Sequence, residues 1–299
     1  MNKGPVSLLG RRWVIALVAA CLLAGGLSRL RGSSTDDGAL VKAMGLLRAG
    51  RHAAALHYYE IWRAQARNRT DSAGMANALS GAAEASMKLG DFSHATAFLG
   101  ALLERRDLAA PKRRRWEQMK GRAEAAERAL RTARELAAKD SAKEAAAKLT
   151  AFAAGDVGDD AKATCLYIAA AHLSWEDKNE ARQKVALLGR VVTECPDSPF
   201  AVKAETLVTL DAAQHGHHAD AIRAARLMLR RAVSPEDKLN ASLLVARILS
   251  DMGDRKGAEE ALARSRAALP QCEPQSLRPA MEKVIVEIEA KVKATKKGR

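Results

Sequence analysis

Aromatic residues make up only 4% of this 299-residue chain, too few for the bulky interior of a β-sandwich or barrel. Runs of alternating β-branched residues are nearly absent, so no strand is predicted. Cysteine is scarce as well. Of the four, Cys21 falls in an apolar run near the N-terminus, which leaves Cys165, Cys195 and Cys272, an odd set with neither a Cys-x-x-Cys pair nor zinc-ligand spacing. Cys165 and Cys195 fall on opposite helices of one predicted hairpin, at heights about 10 Å apart when counted at ~1.5 Å per residue, so a structural disulfide is not expected. Also missing are a nucleophile elbow, a metalloprotease helix, a phosphate-binding glycine loop and a dinucleotide fingerprint. Carboxylates are scattered among basic neighbours and no acid/base pair stands out. The chain is therefore expected not to be an enzyme, and no cofactor is expected.

What the chain has is alanine, 63 of its 299 residues, within a hydrophobic content of 48%. That suits helices packed closely along a stacked array. A glycine followed five residues later by alanine recurs as Gly50/Ala55, Gly90/Ala95, Gly216/Ala221 and Gly253/Ala258, and seven residues before each glycine stands a short side chain, Ala43, Ala83, Thr209 or Ala246. Each block reads as helix, tight turn, helix, with close contact near the turn. The pattern is a repeat rather than a single globular core.

The first 31 residues form a separate unit: Lys3, Arg11 and Arg12, then the apolar run Trp13 to Leu27, then Arg29 and Arg31. As a helix, residues 13–28 rise about 24 Å, slightly short of a ~30 Å hydrocarbon core, with arginines able to snorkel at both ends. A signal-anchor helix is the first reading. Two others stay open: cleavage after Gly26, where Ala24-Gly25-Gly26 offers small residues, and lipidation of Cys21, since Val18-Ala19-Ala20-Cys21 resembles a lipobox. The basic bias before the run directs the rest of the chain outward, so the body is expected on the extracytoplasmic, periplasmic side. The predicted organisation is a short tail (1–12), a signal-anchor helix (13–28), a linker (29–37), a helical body (38–294) and a basic tail (295–299). Residues 38–299 carry 44 basic and 33 acidic side chains, a net +11, which favours anionic partners such as phospholipid headgroups, acidic proteins, cell-wall polymers or nucleic acid. An exported body argues against nucleic acid.

Period and punctuation predict helices over 39–49 and 52–68, 73–89 and 92–104, 111–139, 141–154, 160–174 and 178–194, 200–214 and 219–231, 235–252 and 256–269, and a final helix over 276–293 that covers the open end of the stack. Ser141 and Glu144 have capping-box spacing. Residues 111–158 do not match the repeat register.

In the last hairpin Ala246, Gly253, Ala258, Leu262 and Pro270, and in the second Ala83, Leu89, Gly90, Phe92 and Ala95, stand at spacings that resemble the tetratricopeptide repeat. Trp62 stands where that motif has a small residue and Ala225 where it has an aromatic. The stretch Cys195-Pro-Asp-Ser-Pro-Phe-Ala201, with Ala204 beyond it, is similar to the inter-repeat signature of tetratricopeptide proteins of the bacterial envelope, with Cys195 at a usual tyrosine position. The resemblance implies an all-α solenoid of antiparallel hairpins whose first helices line a groove for peptides or partner helices. By position the groove residues would be Leu40, Met44 and Leu47, then Asn77, Glu84 and Lys88, then Asn240, Leu243 and Arg247. Chaperone-binding members hold a carboxylate with lysine and asparagine where this chain has Leu40 and Met44, so a cytosolic chaperone adaptor is disfavoured.

Two clusters outside that groove invite a chemical reading. Lys112, Arg113, Arg114 and Arg115 crowd the first turn of a helix, where the macrodipole favours negative charge; either an anionic partner holds them there or they are a solvated helix start with Trp116 in the core. His215, His217 and His218, beside Asp211 and Asp220, offer nitrogen and oxygen but no fixed metal-ligand spacing, and an exposed turn is the preferred account. The expectation is a membrane-anchored scaffold that binds proteins. The alternative is a binder of anionic polymer, glycan or RNA, through its basic face.

Overall fold

The computed structural model describes residues 36–66, 72–105, 108–232, 234–272 and 278–294. Residues 13–28, the predicted membrane segment, and the tail 295–299 lie outside them. Among the described residues no helix is long and apolar enough to cross a membrane.

The described chain is helical throughout: α1 (Asp36–Arg48), α2 (His52–Ala66), α3 (Ser72–Leu89), α4 (Phe92–Leu103), α5 (Ala110–Ala137), α6 (Ala142–Ala153), α7 (Asp159–His172), α8 (Lys178–Glu194), α9 (Pro199–Gln214), α10 (His218–Arg231), α11 (Pro235–Asp251), α12 (Arg255–Ala268) and α13 (Arg278–Ala294), with a 3-10 turn at Leu269–Gln271. Each helix packs chiefly on its neighbours in sequence, as a solenoid of hairpins requires. The starts are chemically marked. Asp91, Asp177, Ser198, Ser234 and Asp254 accept backbone N–H groups of their own first turns, and Pro111, Pro199 and Pro235 sit where a missing N–H costs nothing.

The four glycine turns close alike. At the second, Gly90 N–H donates to Met87 O at 3.0 Å and Asp91 N–H to Ser86 O at 2.9 Å, with Gly90 at φ +72°, the paired bonds of a Schellman motif. The small residues flanking all four turns are buried: Ala43, Ala55, Ala83, Ala95, Ala246 and Ala258 at 0%, Ala221 at 1% and Thr209 at 2%.

A fifth turn of the same kind lies in the region that sequence spacing left out of register. Asp140 takes the left-handed position at φ 59°, Asp140 N–H donates to Ala137 O and Ser141 N–H to Leu136 O, and the flanking small residues are Ala133 and Ala145, both buried. The spacing of seven and five is kept, with aspartate in the glycine position. Helices α5 and α6 are thus the third hairpin. The expected capping box is not formed, since the Ser141 side chain makes no cap bond.

Length sets the architecture. At 28 residues α5 spans about 42 Å, whereas α6 has 12 residues and packs on the upper part of α5 only. The loop after α6 is held beside Arg122, whose guanidinium lies 3.4 Å from Asp156, about 18 Å up from the start of α5. Everything from α6 onward is therefore lifted by most of a helix length. The start of α7 meets the end of α3, with Lys88 3.0 Å from Asp160. Met87 and Phe92 share a core with Phe200 and Ala201 at the start of α9. The start of α11 meets the first turn of the array, with Arg51 3.3 Å from Glu236. The hairpins form two tiers, α1 to α4 with the lower part of α5 below, and α6 to α13 above.

Both tiers pack large side chains among alanines. Below, Tyr59, Trp62, Leu79, Phe98, Leu99 and Leu102 pack with Ala39, Ala43, Ala55, Ala78, Ala82 and Ala83; Trp62, where the repeat motif has a small residue, is 2% exposed. Between and above, alanines of α5, α6 and α7 surround Leu149, Leu166 and Leu188. Helix α13 closes the upper end with Met281, Ile285, Ile288 and Val292 against α11 and α12, as predicted for the final helix. Cys165, Cys195 and Cys272 are buried free thiols, and burial pushes Cys165 up to about 12 and Cys272 up to about 11.

Candidate partner-binding surface

First helices touch one another along the inside of the stack, α1 with α3, α7 with α9 and α9 with α11. The inner neighbour of α3 is α7 rather than α5. Because α7 also packs on α5, α6, α8 and α9, it is enclosed on nearly all sides, with Ala161, Ala163, Thr164, Cys165, Leu166, Tyr167, Ala169 and Ala170 all buried. A continuous open groove through the middle of the array is thereby filled with protein. Helix α11 is enclosed in the same way by α9, α10, α12 and α13, and Leu243 is 5% exposed.

The residues expected to line the groove divide accordingly. Leu243 belongs to the core, a correction to its expected place on a binding face. Lys88 is half-buried and committed to Asp160. Asn240 and Arg247 are half-buried a tier above α1, Asn77 and Glu84 are exposed on α3, and Leu40 and Leu47 are half-buried beside an exposed Met44. Large apolar side chains are exposed singly at Trp175, Val202, Met252 and Val286, whereas α1 exposes two within one turn, Val41 at 69% and Met44 at 37%. Sequence position did not single out Val41. Its signal was the run Leu40-Val41 followed by Met44 and Leu47, broader than the one stripe a helix buries against a single neighbour. Among the described residues no hairpin precedes α1 to cover its outer side. Lys42 lies over the Tyr58 ring at 4.3 Å, giving that surface a cationic edge, and Arg48 is exposed at its far end. The arrangement fits an apolar helix or strand bearing acidic side chains.

The basic cluster resolves into two jobs. Arg113 donates to Leu103 O at 2.9 Å and to Arg105 O at 2.5 Å, holding carbonyls at and just beyond the end of α4 from the first turn of α5. Lys112, Arg114 and Arg115 are exposed. Trp116 packs against the lower core.

The histidine turn places His215 Nδ1 3.3 Å from Asp211, and burial raises the Asp211 carboxyl while His215 and His217 oppose that rise. Among the described residues no three histidine, cysteine or acidic side chains converge as a metal site would require. Lys184 is a buried cation that sequence reading missed. Its ammonium donates to Leu173 O at 2.8 Å and lies 4.6 Å from the Trp175 ring; burial, opposed by Glu180, pushes it down to about 8. It ties the end of α7 to α8.

No protein-family model matches this chain, and no curated protein matches it. Among solved structures the chain is similar to a thermophilic tetratricopeptide-repeat protein of Thermus thermophilus, at 17% identity over 84% of this chain and 100% of that one, with a TM-score of 0.26.

Proposed function

We propose that this protein is a binding scaffold of the bacterial cell envelope, tethered to the membrane by residues 13–28, that recruits a protein partner through the apolar face of α1. Recognition is its work, and turnover is no part of the reading. The observation that carries it is the exposure of Val41 and Met44, one turn apart, beside Leu40 and Leu47, an apolar face at the membrane-proximal end of the stack. Asn77 and Glu84 on the adjacent α3 supply polar contacts at its rim.

Proximity labelling in the native cell with the full-length chain tests both halves. Labelled neighbours outside the cytoplasm, lost in the Val41→Asp, Met44→Asp variant, are expected. A cytoplasmic neighbour set reverses the topology, and a neighbour set unchanged by the two substitutions removes α1 as the docking face. The exposure of Lys112, Arg114 and Arg115 favours a second reading, capture of an anionic polymer. Binding to purified glycan that falls steeply with added salt and vanishes when those three are neutralised would establish it.

A further inference from the structure

We infer that the exposed basic residues at the start of α5 rest on the anionic headgroups of the bilayer that holds the chain, so that the body stands on its lower end with the second tier held away from the membrane. This rests on the tethered scaffold proposed above and adds its orientation.

Topology supplies the first argument. Helices α1 to α5 alternate in direction through short connections, and the contact of Arg113 with Leu103 O and Arg105 O fixes the end of α4 against the beginning of α5. The beginnings of α1, α3 and α5 therefore share one end of the lower tier. Residues 1–35 join the body at the beginning of α1, the same end at which Lys112, Arg114 and Arg115 are exposed. Only residues 29–35 separate that end from the apolar run.

Charge is the second argument. Three cations in the first two turns of α5 oppose the macrodipole, Lys112 most directly. Arg113 is retained there for a visible reason, the α4 carbonyls, whereas Lys112, Arg114 and Arg115 make no such bond. A surface of phosphate headgroups rewards cations at that place, at a factor of about five in equilibrium for each one brought to the surface. At the opposite end of the body, at the α11–α12 turn, Arg255 pairs with Glu259 and Lys291 with Asp251, while Lys256 and Lys293 are exposed. The lift imposed by α5 then sets the distance, because α6 and all that follows begin about 18 Å above the start of α5.

The test uses the full-length chain reconstituted into vesicles of phosphatidylcholine with or without phosphatidylglycerol. A photo-crosslinking residue, benzoylphenylalanine, replaces Gln118, one turn beyond the cluster, or Met252, at the α11–α12 turn; both positions are exposed. Expected are lipid adducts at position 118 and not at 252, falling at least ~10-fold when phosphatidylglycerol is omitted or when Lys112→Glu, Arg114→Glu and Arg115→Glu are combined with Arg113 kept. The lipid change leaves the protein untouched, so it decides the matter even where the triple variant is misfolded. Vesicle flotation and resistance to alkaline extraction separate the two ideas. If the chain floats and resists extraction but position 118 gives no more lipid adduct than 252, or adduct yield ignores headgroup charge, the orientation is overturned and the tether stands. A chain that fails to stay with the vesicles removes both.

Discussion

The turns at Gly90 and Gly253 are written in the same letters and closed by the same hydrogen bonds, yet they stand in different surroundings. A Cβ on Gly253 would meet nothing within 4 Å, whereas on Gly90 it would come to 2.7 Å from Thr164 Cγ2, 2.9 Å from Thr164 Oγ1 and 3.2 Å from Phe200 Cζ. Local chemistry makes a hairpin in both cases. What differs is that the Gly90 turn is where the lower tier supports the upper one. A repeat signature thus reports the hairpin and is silent on where the stack folds back upon itself.

Substituting the two glycines separates these contributions, and this is the largest effect expected. Both have positive φ, 72° and 78°, so alanine at either costs about 1–2 kcal/mol for the left-handed backbone. Gly90→Ala adds overpacking against α7 and α9, roughly 1–3 kcal/mol more. Urea unfolding should place Gly90→Ala well below Gly253→Ala, and Thr164→Ala in the Gly90→Ala background should recover part of the difference. Equal losses would mean that the tiers do not meet at this turn.

Asp140 extends the comparison in the opposite direction. Its left-handed φ of 59° is a conformation that aspartate tolerates and glycine prefers. The side chain is exposed, so Asp140→Gly loses no packing. A gain of about 0.5–1 kcal/mol is expected, read as a higher urea midpoint. A loss would show that this turn is held by more than its backbone bonds.

Helix positions were legible in the sequence because their ends are local. The prediction 178–194 matches α8 as observed, with Asp177 capping its start and Pro196 just past its end. The fifth turn was missed because the pattern was anchored on glycine, and only the small residues around Asp140 kept the spacing. The tiers were not legible at all. They follow from the unequal lengths of α5 and α6, whose consequence appears in pairs 72 and 185 residues apart, Lys88–Asp160 and Arg51–Glu236. The same blindness explains the candidate site. Position in the repeat placed Leu243 on a binding face, but burial depends on which helices enclose α11, and position passed over Val41, which no described hairpin covers. Arg113 read as one of four equivalent cations until the α4 carbonyls came within its reach.

A smaller effect checks the tier contact by charge. Arg51 and Glu236 are 20% and 25% exposed and join residues at opposite ends of the chain. A double-mutant cycle with Arg51→Ala and Glu236→Ala should return a coupling of about 0.5–1 kcal/mol in unfolding. The Arg255–Glu259 pair, within one helix and 42% and 51% exposed, should return about 0.3–0.5 kcal/mol. A vanishing coupling at Arg51–Glu236 would leave the upper and lower tiers unlinked at the first turn.

The smallest effect concerns His52, which follows the first glycine turn and faces the seam. Its Nδ1 is buried without a hydrogen-bond partner. Burial, reinforced by Lys88 and opposed by Asp160, lowers its pKa below 6.5. In the unfolded chain the imidazole regains its ordinary value, so as pH falls through about 6.5 the unfolded state takes up a proton that the folded state refuses. Stability is therefore flat above neutrality and declines as pH drops through 6.5 toward the lowered folded value. His172, also lowered by burial, contributes in the same direction and remains as background in a His52 variant. Melting temperatures at about pH 7.5 and about pH 5.5 should fall further in the natural chain than in His52→Gln. Parallel falls would mean that water reaches His52 in the folded protein, and that the first turn stands open to solvent as the Gly253 turn does.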